Sequence, residues 1–161
     1  MSDIPNVGEL APDFELRDDE GRQHRLSDRG GHFTVVYFYP GDDTPGCTKE
    51  ACSFRDAHSS FTDADTEIWG LSPQGAASKA AFRAKYDLPF TLLPDVGHVV
   101  ADTYGAWGEK TKYGRTYMSI LRTSFLIGPD RRIAHVWTQV KAEGHAAEVL
   151  DALREARSAA V

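Results

Sequence analysis

The chain has 161 residues, 41% hydrophobic and 26% charged, with 14 glycines and 8 prolines, which predicts a single globular domain with a core of its own, spanning 1–161. Its 18 Lys and Arg against 24 Asp and Glu leave a net charge of −6, an argument against a general binder of nucleic acid or anionic membrane. No apolar run approaches the ~20 residues of a bilayer span, and Met1 to Val7 lacks the basic and apolar stretches of a secretory leader, so a cytoplasmic protein is expected.

Phe14 and Leu16 share one parity, Asp18-Asp19-Glu20-Gly21 follows as a solvated turn, and Gln23 to Leu26 returns, which predicts a short hairpin. Phe33 to Tyr39 is almost continuously apolar and rich in β-branched and aromatic residues, as a strand buried on both faces would be. Pro40 ends it, and the turn-rich Gly41 to Gly46 leads to Cys47. From there the period becomes helical: Cys47, Ala51, Phe54, His58 and Phe61 form one stripe, with His58 at the core edge. Glu67 to Leu71 reads as a strand. Ala77, Ala80, Ala81 and Ala84 read as the stripe of a helix that Leu88-Pro89 stops. A short strand over Phe90 to Leu93 and a short helix or turn over Val99 to Trp107 come next. Two strands, Ser119 to Ile127 and Ile133 to Val140, flank a turn at Pro129-Asp130. Ala146, Val149, Leu150 and Leu153 mark a closing amphipathic helix. Trp69, Trp107 and Trp137 read as packing residues, with a place lining the functional site as the other reading of Trp107. The expectation is a layered α/β domain with a mixed sheet and an N-terminal hairpin.

Two cysteines do not make a disulfide scaffold. The six histidines are scattered, with no HExxH and no His/Cys cluster, so no metal site is expected. No glycine-rich phosphate loop is present either. Cys47 is delivered by a strand, a tight loop and a helix start. Unpaired N–H groups and the positive end of the helix dipole there favour a thiolate, the nucleophilic form. The alternative is a small buried hydrophobe on its stripe. Cys52 lies five residues on. On an intact helix that offset puts the two Cα atoms roughly 8.6 Å apart, on different faces, whereas a disulfide needs about 7 Å or less. The pair is either two unrelated thiols or a redox switch coupled to local unwinding.

The run Tyr37-Phe38-Tyr39-Pro40-Gly41-Asp42-Asp43-Thr44-Pro45-Gly46-Cys47-Thr48-Lys49-Glu50-Ala51-Cys52 resembles the active-site segment of the peroxiredoxins, in particular the bacterioferritin comigratory protein (PrxQ) subfamily. The family pattern Pro-x-x-x-Thr-x-x-Cys falls on Pro40, Thr44 and Cys47. Arg122 to Ile127 is similar to the family's arginine-bearing strand, and Trp107-Gly108-Glu109-Lys110 to a subfamily segment. The resemblance implies a thioredoxin-like fold and a thiol peroxidase. Cys47 would be the peroxidatic thiolate that attacks the peroxide and becomes a sulfenic acid, and Cys52 the resolving cysteine that condenses with it. Arg122 would favour the thiolate and donate to the peroxide. Thr44 would position both through its hydroxyl, or serve as a helix N-cap ahead of Pro45. Pro40 would shield the site, and Glu50 would orient the arginine. No cofactor is implied. The implied reductant is thioredoxin, with glutaredoxin or glutathione as alternatives, and a monomer is expected, with a weak homodimer as the other reading.

Three positions depart from the family's habit without touching these residues: Gly41 in place of a basic residue, Ser72-Pro73-Gln74, and the turn at Pro129 to Arg132. Two other function classes stay open. A general disulfide reductase would carry Cys-x-x-Cys, which this chain lacks. A redox-sensing binding protein would use the two thiols as a switch without turnover.

Overall fold

The apolar run from Phe33 to Tyr39 forms the centre of the sheet. In a computed structural model that describes residues 3–159, β3 (Thr34–Phe38) is buried along its whole length. It pairs in parallel with β4 (Glu67–Ser72) on one side and antiparallel with β8 (Thr123–Ile127) on the other. β5 (Thr91–Pro94) and β9 (Ile133–Trp137) are the edges, giving the order β5-β4-β3-β8-β9 and the mixed sheet expected. Two-residue alternation sends Val35 and Tyr37 to one face, where α1 (Pro45–Asp63) and α4 (His145–Ala159) pack. Val36 and Phe38 go to the other, beside Trp69, Tyr104 and Phe125. Tyr37 stands opposite Gly70 in the register. A Cβ on Gly70 would lie 2.8 Å from the Tyr37 ring, so only glycine lets that ring lie across β4.

The N-terminal hairpin forms from β1 (Glu15–Arg17) and β2 (Gln23–Arg25). Its turn is less solvated than expected: Asp18 meets His24 at 2.9 Å, and Asp19 meets Arg83 at 2.6 Å. α1 keeps its predicted stripe, with Cys47, Ala51, Phe54 and Phe61 buried and His58 at the edge.

Three expectations are corrected. α2 (Ala76–Tyr86) turns its alanine stripe outward, with Ala77, Ala80, Ala81 and Ala84 exposed and Lys79 and Phe82 buried instead. Alanine favours a helix on either face, so its spacing carries little about burial. The predicted strand Ser119 to Ile127 is two elements, β7 (Arg115–Ile120) and β8, and Arg122 sits in the link between them. Finally, α3 (Val99–Thr103) is shorter than the expected helix, and Trp107 opens β6 (Trp107–Lys112), which pairs with β7 in a separate hairpin. That hairpin turns on Tyr113 and Gly114, both at positive φ (53° and 75°). A two-residue turn of this kind usually advertises itself by Asn-Gly or Asp-Gly, and its strands are mostly exposed with no clear apolar alternation, so the sequence carries no hairpin signal here.

Candidate active site

The site is built where the C-terminal end of β3 hands over to α1. Pro40, half-buried, follows the strand, and the loop to Thr44 turns the chain back over the sheet end. Thr44 stands at the N-cap with extended backbone (φ −86°, ψ 154°) and Pro45 takes the first helical position, as its missing N–H and fixed φ favour. The Thr44 hydroxyl does not cap the helix. It donates to the Gly41 carbonyl at 3.1 Å, so it tightens the loop rather than the first turn. Thr48 N–H is the first to bond back, to Thr44 O at 2.8 Å. The amides of Gly46 and Cys47 therefore precede the helical hydrogen-bond ladder, with the positive end of the dipole.

Cys47, in the first turn of α1, is 1% exposed. Arg122 reaches it from the β7–β8 link: Nη2 donates to Cys47 Sγ at 3.1 Å, and Nη1 donates to Glu50 Oε1 at 3.1 Å. A guanidinium donates more strongly to an ionised acceptor than to a neutral one, and here it sets a fixed cation against the sulfur. Glu50 lies one turn after Cys47 on the same buried face. Burial pushes its carboxyl up to about 7, against the pull of Arg122. One cation thus faces two acids, of which the carboxyl holds its proton into the neutral range.

Gly46 was legible only as a turn residue, and its reason is space. A Cβ there would stand 2.8 Å from Arg122 Nη2, which would push the guanidinium off Cys47. Arg122 also lines a cavity of about 620 Å³ together with Ile4, Lys110, Leu121 and Val140. Burial lowers the Lys110 ammonium pKa, and Arg122 adds to that lowering. Of the expected segment Trp107 to Lys110, Glu109 and Lys110 thus reach the site, whereas Trp107 stacks on His98 at 3.7 Å and serves packing.

Pro40, Thr44, Cys47, Glu50 and Arg122 are therefore gathered within one corner of the fold. Cys52 is not. It is a free, half-buried thiol further along the unbroken α1, and the two cysteines are not close. Arg55, whose guanidinium donates to the Tyr86 carbonyl at 2.8 Å, lies on its side of the helix.

Residues 7–136 match the AhpC/TSA family. Over 149 residues the chain is 44% identical to peroxiredoxin Bcp of Bacillus subtilis, covering 92% of this chain and 95% of that one. It is 42% identical to peroxiredoxin Bcp of Escherichia coli, covering 92% and 96%. The chain is a peroxiredoxin of the Bcp/PrxQ subfamily. Among solved structures it is similar to the bacterioferritin comigratory protein of Xanthomonas campestris (TM-score 0.86, 33% identity, 94% of this chain and 97% of that one), a protein studied for alkyl peroxide reduction. It is also similar to a cysteine-to-serine variant of Xylella fastidiosa PrxQ (TM-score 0.87, 32% identity, 98% of each chain). Peroxiredoxin membership makes the α/β architecture thioredoxin-like and the protein a thiol-dependent peroxidase that reduces peroxides. Among the described residues, no helix of this peroxiredoxin is long and apolar enough to cross a membrane.

Proposed function

We propose that Cys47 is the residue oxidised by peroxide and that Cys52 resolves it. The contact between Arg122 Nη2 and Cys47 Sγ carries this reading, because it joins the thiol at a helix start to a fixed cation. The Cys47 thiolate attacks the terminal oxygen of hydrogen peroxide or an alkyl hydroperoxide. The O–O bond breaks, the sulfur keeps OH as a sulfenic acid, and the departing alkoxide or hydroxide takes a proton to become alcohol or water. Arg122 donates to the peroxide oxygens as charge moves along them, Glu50 holds Arg122 in place, and Pro40 with Thr44 shapes the loop around the sulfur.

Cys52, as thiolate, then attacks the Cys47 sulfur and expels hydroxide, which leaves as water after protonation. The Cys47–Cys52 disulfide is opened by a dithiol, thioredoxin by preference, which supplies two electrons and leaves as its own disulfide. α1 keeps both cysteines on intact helix, so its first turns unwind for the bond to close. On this reading the chain acts as one cytoplasmic domain over 1–161, as a monomer.

The test is a pair of variants. Cys47→Ser should abolish peroxide reduction, since a serine hydroxyl is a far weaker nucleophile than a thiolate. Cys52→Ser should react once with peroxide, retain a dimedone-reactive sulfenic acid on Cys47, and fail to recycle with thioredoxin. Turnover by Cys47→Ser, or a dimedone adduct found on Cys52 of the wild-type protein and none on Cys47, would overturn the assignment.

A further inference from the structure

Lys79 is 0% exposed, the one polar side chain of α2 that is fully buried. A buried ammonium is unfavourable unless it is paired and its protons are all received. Here they are. Lys79 Nζ donates to Asp42 Oδ1 at 3.3 Å and Oδ2 at 3.4 Å, to Tyr39 Oη at 3.3 Å, and to Ser72 Oγ. The Asp42 side chain is 3% exposed. It also accepts from Tyr39 Oη and from Ser78 Oγ, each at 2.7 Å. Gln74 closes the cluster: its Nε2 donates to the Pro40 carbonyl at 3.1 Å, and its Oε1 accepts from Asp42 N–H at 3.3 Å. Both residues that flank Gly41 are thus tied to β4 and to the segment leading into α2, in the same loop that Thr44 tightens before Cys47.

The groups in contact with Lys79 come from three places: Asp42 in the loop, Tyr39 just after β3 and Ser72 in β4. Asp95, just after β5, and Cys47 in α1 act on its charge without a hydrogen bond to it. Burial lowers the Lys79 ammonium pKa, while Asp42, Asp95 and Cys47 as anions hold its proton on.

We propose that Lys79 is a positioning residue for the Cys47 reaction: through Asp42 it clamps the Pro40–Thr44 loop, and its charge cancels the buried carboxylate that would otherwise oppose the Cys47 thiolate. The inference rests on Cys47 being the oxidised residue. Removing the cation leaves the Asp42 carboxylate buried without its partner in the loop that leads to Cys47, and like charges disfavour each other's ionised forms. Removing the anion instead leaves a buried cation that favours the thiolate. The two halves of the pair therefore act on Cys47 in opposite directions, which a clamp of purely mechanical kind would not do.

The experiment follows Cys47 ionisation by thiolate ultraviolet absorbance against pH, together with its rate of oxidation by hydrogen peroxide. Measurements cover the wild type, Lys79→Met, Asp42→Asn and the double variant. Lys79→Met should raise the ionisation midpoint by roughly half a unit or more and Asp42→Asn should lower it, while the double variant returns toward wild type. Each single variant should oxidise about tenfold more slowly at a pH where its thiolate is fully formed, because the loop is loosened. If Lys79→Met does not fold, the same comparison is read as the step from Asp42→Asn to the double variant, which must raise the midpoint. Midpoints that stay at the wild-type value, or that move the same way in both single variants, overturn the proposal. A wild-type Cys47 that hydrogen peroxide leaves unoxidised would overturn the reading of Cys47 itself.

Discussion

Two acid–cation pairs meet the loop and helix start that carry Cys47, each a buried carboxyl group facing a cation. Arg122–Glu50 is partly open: its arginine lines the cavity, and one nitrogen touches the sulfur. Lys79–Asp42 is sealed, and every polar contact given above for its lysine is to protein atoms away from the sulfur. Both set a carboxyl group against a cation, yet one is arranged so that a reacting oxygen can join it and the other so that nothing can. The difference lies in where spare donors point. Arg122 has a planar fork with nitrogens to spare beyond Glu50, whereas Lys79 spends its three protons on its neighbours.

Arg122→Ala should break the open pair where it matters most, slowing oxidation by hydrogen peroxide about 10²–10³-fold in stopped-flow measurements. Its stability cost below pH 6 should be small, because Glu50 left without a cation can keep its proton. Asp42→Ala should invert that profile. It strands Lys79 inside the protein and should lower unfolding free energy by roughly 3 kcal/mol in denaturant titration, with a far smaller loss of rate than Arg122→Ala.

Glu50→Gln sharpens the contrast through pH. The folded protein holds the Glu50 carboxyl at about 7 against an ordinary 4.5, so the native state binds this proton more tightly than the unfolded chain. Its stabilising effect is complete below the ordinary value and is lost as pH rises toward 7. Wild-type stability relative to the Gln variant should therefore fall across that window, by roughly 3 kcal/mol at most, and level off above it.

Gly46→Ala displaces the end of the Arg122 side chain rather than any backbone. A roughly tenfold slower peroxide reaction, ~1.4 kcal/mol in barrier, should accompany a change in unfolding free energy below about 1 kcal/mol. The smallest effect concerns the oxidised protein. Unwinding for the Cys47–Cys52 bond should stop before Phe54, which is buried and stacked on Tyr37 at 4.9 Å. Hydrogen exchange should quicken over residues 46–53 on oxidation and stay unchanged in α4 and at Asp42, whose N–H is held by Gln74. Equal protection of 46–53 in both states would show that the helix does not open.

Much of this was legible in the chain. The α1 stripe, the doubly buried β3, the hairpin β1–β2 and the closing helix each rest on a local period that backbone geometry imposes. Cys47 at a helix start, with Pro45 just inside it, was legible for the same reason. Lys79 was not. A lysine normally marks a solvated face, and its burial depends on a carboxylate 37 residues away. The β6–β7 hairpin escaped because Tyr113-Gly114 takes a turn geometry that its first residue does not announce.

By itself the sequence determined the periods, the strand–loop–helix passage that presents Cys47, and a motif run specific enough to indicate a thiol peroxidase. The tertiary structure alone decided which charges serve that thiol. Arg122 meets Cys47 across 75 residues of chain and Glu50 across 72. Such meetings depend on how the β7–β8 link lies beside the end of β3, and on the missing Cβ of Gly46 that leaves the guanidinium its room. Local periods follow from bond geometry repeated every few residues, so they survive in one dimension. Contacts between distant side chains follow from packing, which has no one-dimensional trace.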